Sequence, residues 1–296
     1  MEKLKVNMLV NEDQAILDKM KTAFENCPSA VKHLNELNVP PEVIERNLPK
    51  IFDFVSDINY CKKCPGVKKC QKERPLLVTR IVYHNGYLDR ELSPCPEFLK
   101  RLGFEKQFLV RDFPDDWLDY DFHNLDESDA RKKVVAQYRV FTKEGDNQWM
   151  YLSGGPNSGR TFSAAIVTID IAKKNLGPIC FLNSVQRIRE LSDLAYSDKV
   201  KFQKEIDRYS NVPVLVLDDF GNEFKNDFIR DAVVFPILSN RSNKRLLTII
   251  TSDFSIADII TLYSTSKAGA IRAKQIGNII KTMAKDEISF GDLPVY

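Results

Sequence analysis

The feature that most constrains this chain is a glycine-rich loop between a strand-like and a helix-like segment. The stretch WMYLSG is typical of a strand, and a helical pattern follows at about 160–174. Gly154 and Gly159 have the spacing of the G-x4-G-K-[ST] phosphate loop, and Thr161 stands at its Mg²⁺-ligand position. Backbone N–H groups of such a loop hold phosphates. The alternative for the loop alone is a strand–turn–helix connection with incidental glycines.

Position 160 departs from this motif, which has lysine there. Arg160 keeps a positive charge for phosphate, but its guanidinium is a longer planar fork rather than a compact point charge. We therefore expect phosphate binding and doubt the placement needed for phosphoryl transfer. The predicted nucleotide-binding residues are Gly154, Gly155, Pro156, Asn157, Ser158, Gly159, Arg160, Thr161 and, from a later strand, Asp218.

An apolar segment ending in two carboxylates follows the loop in the sequence. The run VLVLDD places Asp218 where a Walker B carboxylate orders the Mg²⁺ shell, and Asp219 where a carboxylate polarises the attacking water. The next apolar run, LLTIITS, ends just before Asp253, and in an ATPase sheet this tip would lie beside the γ-phosphate. Polar residues at a strand end also form turns, which is the alternative for Asp253.

Strand patterns alternate with helix patterns over the second half of the chain. Strands at 179–183 and 246–252 and helices at 184–195 and 225–240 indicate an α/β fold with a parallel sheet flanked by helices. The expected organisation is a small N-terminal helical and zinc-binding β domain, a connector and a P-loop domain. Their predicted ranges are 1–105, 106–125 and 126–296.

Four of the six cysteines fall close together in the N-terminal part. Cys61, Cys64, Cys70 and Cys95 include a CxxC pair and favour a four-thiolate structural zinc site rather than disulfides. The alternative fourth ligand is His84, beside the Asn85-Gly86 turn of a predicted hairpin. The alternative to a zinc site is that the four cysteines are free thiols in a small domain.

Charge and hydropathy exclude several functional classes. The chain has 43 Lys and Arg against 41 Asp and Glu, a formal charge of +2, so any DNA contact is local or pooled from several subunits. No stretch approaches 18 uncharged apolar residues, which predicts no membrane partner, and the N-terminus lacks a signal-peptide pattern. We expect a cytoplasmic protein.

With these motifs the chain resembles the DnaI/DnaC-type bacterial helicase loaders of the AAA+ class. The resemblance covers nearly the whole chain, including the cysteine-rich module. It is carried by four stretches: SVQRIREL (184–191), VPVLVLDDFGNE (212–223), FIRDAVVFPILSNR (228–241) and LLTIITSDFS (246–255).

The resemblance implies a DNA replication role. In this family the N-terminal domain binds the hexameric replicative helicase, and the AAA+ domain, which has no helical lid, binds ATP with Mg²⁺ and single-stranded DNA. Together they place the helicase on DNA. Further implied partners are other primosome or initiator proteins and further copies of the chain on the helicase.

Three departures from the family pattern concern ATP hydrolysis. Arg160 replaces the loop lysine, and Asp253 replaces the usual sensor 1 asparagine, where a carboxylate repels phosphate unless it is protonated or paired. The family arginine finger aligns with Asn278, with Lys274 and Arg272 nearby. The expected catalytic residues are Asp219, Asp253 and Arg272, in an enzyme whose hydrolysis is slow or absent but which still binds ATP or ADP.

Two other functions remain open at this stage. One is a non-hydrolysing adaptor of the replication machinery that does not use ATP. The other is an IstB-like transposition ATPase, which residues 61–95 argue against. The sequence also leaves two roles open for two sets of side chains. Adenine contacts or core packing are the alternatives for Trp117, Tyr120 and Phe122. Contacts with another subunit or DNA, or a solvated helix face, are the alternatives for Arg230, Arg241 and Arg245.

Overall fold

A computed structural model of the chain describes residues 2–145 and 147–291. Its internal contacts divide the chain into two compact units, Met1–Leu102 and Gly103–Tyr296. We call these unit 1 and unit 2. No helix of the described residues is long and apolar enough to cross a membrane.

Unit 1 begins with four helices that enclose a small apolar core. Pro49 lies in the first turn of the fourth helix, where a missing N–H costs nothing, and Asn47 separates this helix from the third. The core joins residues such as Ala30, Leu34 and Ile51. The helices are α1 (Glu2–Glu25), α2 (Pro28–Glu36), α3 (Pro41–Arg46) and α4 (Leu48–Cys61).

The predicted hairpin is confirmed in unit 1. Strands β1 (Leu77–His84) and β2 (Tyr87–Pro94) pair antiparallel, with His84 opposite Tyr87 at the turn and Leu77 opposite Pro94 at the other end. Asn85 and Gly86 take positive φ values of 52° and 84°, as a two-residue hairpin turn requires. Helix α5 (Pro96–Glu105) follows and crosses the boundary between the units.

Unit 2 is the predicted α/β fold with a parallel sheet. The six strands lie in the order β3-β5-β6-β7-β4-β8, all parallel. The strands are β3 (Phe108–Arg111), β4 (Met150–Ser153), β5 (Ile179–Asn183), β6 (Val214–Asp218), β7 (Leu247–Ser252) and β8 (Glu287–Ser289). The helices are α6 (Asp129–Glu144), α7 (Arg160–Lys173), α8 (Ser184–Ser197), α9 (Lys199–Asn211), α10 (Phe235–Lys244), α11 (Ile256–Tyr263) and α12 (Lys267–Ala284), with a π-helix over Ile229–Val234 before α10.

Both faces of this sheet are buried, which explains the continuous apolar runs. Successive side chains of a strand point to opposite faces, so Tyr151 joins one core cluster while Met150 and Leu152 join the other. Cys180 is buried within the first cluster, and burial raises the pKa of its thiol to about 12. It behaves as a small apolar residue.

The segment 106–125, predicted as a connector, contributes the edge strand β3 and two short 3-10 helices to unit 2. Helix α9 was not predicted. Asp198 begins it by accepting the backbone N–H of Lys201 at 3.0 Å. Strand β8 was also not predicted, and no described residue forms a helix after it.

Candidate functional site

The glycine-rich loop joins β4 to α7 at the carboxyl edge of the sheet. Gly154 has φ 150°, and a Cβ there would meet the backbone oxygen of Gly291 at 2.7 Å. Gly159 has φ 88°, and a Cβ there would meet the Arg131 guanidinium at 2.0 Å. Glycine is therefore required at both positions for backbone conformation and for space. Helix α7 begins directly after the loop, so its free N–H groups face the site.

Arg160 is turned onto the protein rather than toward solvent. It is only 4 % exposed, and its guanidinium donates hydrogen bonds to the carbonyl of Gly154 and to the carboxylate of Asp253. The Asp219 carboxylate lies 4.0 Å from the same guanidinium. Asn222 donates to the second oxygen of Asp253 at 2.7 Å. The two departures from the nucleotide-binding motif, at positions 160 and 253, thus form one ion pair. A carboxylate at position 253 was expected to be either protonated or paired, and it is paired.

The two carboxylates after β6 differ in their surroundings. Asp218 is buried and accepts a hydrogen bond from Thr251 at 2.6 Å and another from the Thr161 hydroxyl. Burial raises the pKa of Asp218 to about 6. Asp219 has φ 54° and donates its backbone N–H to Thr251 at 3.0 Å. Burial also raises the pKa of Asp219, although the nearby Arg160 guanidinium acts to lower it. A bound cation would favour the ionised form of both.

One cavity of about 840 Å³ lies beside Arg160, Thr161 and the carboxylates at positions 218, 219 and 253, and its volume is within the size range of small-molecule sites. Gly154 and Gly155, predicted as nucleotide-binding residues, do not line it. Aromatic rings form one wall: Phe162 stands edge-on to Trp117 at 5.1 Å and to Tyr120 at 5.6 Å between ring centroids. Trp117 and Tyr120 therefore face the cavity, whereas Phe122 stacks on Tyr138 in the core. The lining is Trp117, Tyr120, Asn124, Pro156, Asn157, Ser158, Gly159, Arg160, Thr161, Phe162, Asp218, Asp219, Asn222 and Asp253.

Two groups that the sequence did not predict form hydrogen bonds with the backbone of the loop. Arg131, on α6, is buried and donates to the carbonyl of Ser158 at 3.3 Å while pairing with Asp126. After β8, the carbonyl of Gly291 accepts the N–H of Gly155 at 2.8 Å. Neither has a local signal, because a lone arginine and a C-terminal glycine match no motif.

Arg272, the proposed arginine finger, does not line this cavity. It lies on α12, where its guanidinium stacks 3.9 Å from the centroid of the Phe235 ring and lies 3.6 Å from Asp231. In one copy of the chain it is therefore not in contact with the nucleotide-binding residues.

The alternatives offered for Arg230 and Arg241 were both wrong. Arg241 is 0 % exposed and donates to the carbonyls of Tyr209, Val212 and Leu247 at 2.9, 2.7 and 2.6 Å. Burial lowers the pKa of its guanidinium to about 9. Arg230 is 2 % exposed and pairs with Asp227 and Asp231. Its guanidinium fills the space that a Cβ at position 269 would occupy, where the chain has glycine. Both are internal hydrogen-bond donors, while Arg245 is exposed.

In unit 1 the four clustered cysteines line a single small cavity of about 20 Å³. No group of three or more Cys, His, Asp or Glu in the described residues is arranged to hold a metal ion. The arrangement of the described residues therefore does not support the predicted zinc site. Burial raises the pKa of the Cys61 thiol. Backbone N–H groups of Leu76 and Lys72 hydrogen-bond the Cys70 sulfur and lower the pKa of its thiol. Lys72 also pairs with Asp57 at 2.7 Å.

His84 does not line the cysteine cavity. It ends β1, whereas Leu77 begins that strand beside the cysteines. Seven steps of about 3.3 Å separate them, roughly 23 Å. The hairpin therefore places His84 far from the cysteines, and Cys70 remains as the fourth candidate ligand.

Comparison with known families decides the class of unit 2. The family model for the IstB-like ATP binding protein matches residues 107–268, more than half of the chain. The chain belongs to this family. In this IstB-like protein the matched range contains the glycine-rich loop and the Asp218, Asp219 and Asp253 positions, and it leaves out the cysteine cluster.

Comparison with individual proteins confirms the predicted resemblance to helicase loaders. This IstB-like chain is 24 % identical over 244 residues to the replicative helicase loader DnaI of Bacillus subtilis strain 168, covering 79 % of this chain and 77 % of DnaI. A crystal structure of DnaI aligns with a TM-score of 0.55 at 24 % identity, over 65 % of this chain and 99 % of that one, and shares the fold. A crystal structure of the DnaC helicase loader gives 0.45 at 22 % identity, over 61 % and 100 %.

Proposed function

We propose that this protein is a replicative helicase loader, which binds the hexameric replicative DNA helicase and helps place it on single-stranded DNA. The observation that carries the proposal is the similarity to DnaI, which extends over 79 % of this chain and 77 % of DnaI. Such coverage reaches beyond the IstB-like range of 107–268. The proposal also implies a cytoplasmic location and contacts with other primosome or initiator proteins.

Unit 1 is the helicase-binding part in this proposal, with a structural zinc ion held by the four clustered cysteines. Four thiolates leave no open coordination position, so the metal would stabilise the fold and take no part in catalysis. The apolar side chains of Ile16, Leu17 and Leu92 are exposed on this unit and provide surface for a partner protein.

Unit 2 is the nucleotide-binding part. The loop from Gly154 to Thr161 would hold the phosphates through backbone N–H groups, and Asp218 with Thr161 would hold Mg²⁺. Asp219 would polarise the attacking water. Because Arg160 is paired with Asp253, we expect hydrolysis to be slow or absent. Arg272 would contribute to hydrolysis only in the pocket of a second copy on the helicase.

An exposed surface of unit 2 supports contact with single-stranded DNA. Tyr196, Val200 and Phe224 are 84, 79 and 76 % exposed, and the Tyr196 ring lies 6.4 Å from that of Phe228. We infer that these four residues contact the DNA together with the exposed Lys199 and Lys204, and we call the six the aromatic–basic surface. Lys201 is paired with Asp198 at 3.3 Å. Aromatic rings stack on unpaired bases and lysines pair with phosphates, without sequence preference.

Loading onto a closed circle of single-stranded DNA tests the proposal. A closed helicase ring cannot thread onto a circle, so the ring must be opened or assembled there. We expect helicase to co-migrate with the circle only when this protein is present, as measured by gel filtration of the DNA-bound fraction. An equal amount of bound helicase with and without the protein would contradict the proposal.

The Y196A/F224A variant tests the aromatic–basic surface in the same assay. Loss of base stacking, worth about 1–3 kcal/mol per base, should weaken single-stranded DNA binding and loading by about tenfold or more while leaving the helicase complex intact. Leu176→Ala is the matched control, because Leu176 is an exposed apolar residue of unit 2 outside this surface. Equal DNA affinity of Y196A/F224A and the control would exclude the surface.

The second candidate function, an adaptor that does not use ATP, is favoured by one observation. The cation that should meet the phosphates is already neutralised by Asp253. A helicase complex whose formation and loading activity are the same with and without nucleotide would support it.

A further inference from the structure

The inference concerns the ligand preference of the nucleotide cavity and rests on the proposed function of unit 2. Its starting point is the Arg160–Asp253 ion pair. In the usual motif the loop lysine faces a neutral asparagine, and the pair of positions carries one positive charge. In this chain the corresponding pair carries none, because arginine and aspartate neutralise each other.

Both members of the pair are held in place by further contacts. The Arg160 guanidinium also donates to the carbonyl of Gly154, and its side chain is only 5 % exposed. Asp253 receives a second hydrogen bond, from Asn222 at 2.7 Å. A ligand phosphate must therefore compete with the partly buried carboxylate of Asp253 for the guanidinium, and it gains less than it would from a free cation.

The charges of the cavity are unevenly distributed. Its helix end offers the N–H groups of Gly159, Arg160 and Thr161, which suit the first two phosphates of a nucleotide. The opposite side, at the ends of β6 and β7, holds three carboxylates and one neutralised guanidinium. A Mg²⁺ ion held by Asp218 would offset the charge of that carboxylate and leave those of Asp219 and Asp253. A third phosphate extends from the loop toward the strand ends in proteins with this motif. There it would meet like charge.

We infer that this cavity binds a nucleoside diphosphate in preference to a triphosphate, and that Asp253 is the residue that sets the preference. The carboxylate acts in two ways. It occupies the guanidinium that a third phosphate needs, and it adds a negative charge where that phosphate would lie. A cavity of about 840 Å³ has room for either nucleotide, so charge rather than space makes the distinction.

The test is equilibrium binding of two fluorescent probes to the full-length protein in excess Mg²⁺. The probes are ADP and the non-hydrolysable β,γ-imido analogue of ATP, each carrying the same ribose-linked fluorophore. The wild type should bind the ADP probe about tenfold or more tightly. D253N should strengthen binding of the triphosphate probe about tenfold and change ADP binding less than threefold. R160K/D253N should retain this gain.

Asp53→Asn is the matched control. Asp53 is also a carboxylate paired with an arginine, Arg90, but it lies in unit 1, and its loss should leave both affinities unchanged. If D253N does not fold, D253S replaces it. The ratio of the wild-type affinities for the ADP probe and the triphosphate probe still tests the preference by itself.

Three results would overturn the inference: a wild type that prefers the triphosphate probe, a ratio unchanged by D253N, or no binding of either probe. Each leaves the helicase-loader proposal standing, because that proposal is tested by the helicase complex and by loading. A wild type that loads helicase but binds neither probe would instead support the adaptor.

Discussion

Replacing Arg241 with alanine should lower the free energy of unfolding of unit 2 by about 4 kcal/mol. The buried guanidinium donates to three backbone carbonyls, those of Tyr209, Val212 and Leu247, and to the hydroxyl of Thr248. Alanine removes all four bonds, leaves the carbonyls buried and opens a cavity. Arg241→Lys should cost less, because an ammonium can still donate to some of these oxygens.

Tryptophan fluorescence during urea unfolding measures this effect in unit 2 alone. The chain has two tryptophans, Trp117 and Trp149, and both lie in unit 2. Arg189→Ala is the control, the same change on the exposed side of α8. An unfolding midpoint of R241A equal to that of R189A would show that Arg241 does not support the fold.

The second large effect is expected at the cysteine cluster. The purified wild type should contain one zinc per chain by elemental analysis, and Cys70→Ser should lose it together with the fold of unit 1. Structural zinc sites contribute about 10–16 kcal/mol of binding free energy near neutral pH, so few small units fold without their metal. Unit 1 should lose far-UV ellipticity, while the tryptophan transition of unit 2 stays in place.

His84→Ala is the control for the zinc prediction, because the hairpin places His84 away from the cysteine cavity. It should retain full zinc content. A wild type without zinc would exclude the metal site. Zinc retained by C70S and lost by H84A would reverse the assignment of the fourth ligand.

Local patterns predicted much of unit 2. The segment ICFLN is a strand over the predicted residues, and VLVLD is a strand within the predicted apolar run, because strands buried on both faces leave continuous apolar runs. Helix α9 was missed although Phe202, Ile206 and Tyr209 lie at helical spacing and pack in or against the core, because charged residues surround these few apolar positions. Strands β3 and β8 are short edge strands whose place depends on their neighbours in the sheet.

The candidate site, too, could be predicted from the sequence only in part. The loop was predictable because its motif spacing reflects contacts made over a few residues, and Asp218 because a carboxylate directly follows a continuous apolar run. The pairing of Arg160 with Asp253 spans 93 residues and required the fold, although the sequence already identified both positions as departures. Arg241 was misjudged because an arginine in a sequence suggests surface, and only the structure shows its buried carbonyl partners.

The measurement that tests the central claim most directly is gel filtration with light scattering of this protein and the replicative helicase of its own organism. It should be run on zinc-loaded protein, with and without Mg-nucleotide. We predict a complex of defined mass containing the helicase hexamer. Separate elution of the two proteins under both conditions would contradict the helicase-loader proposal.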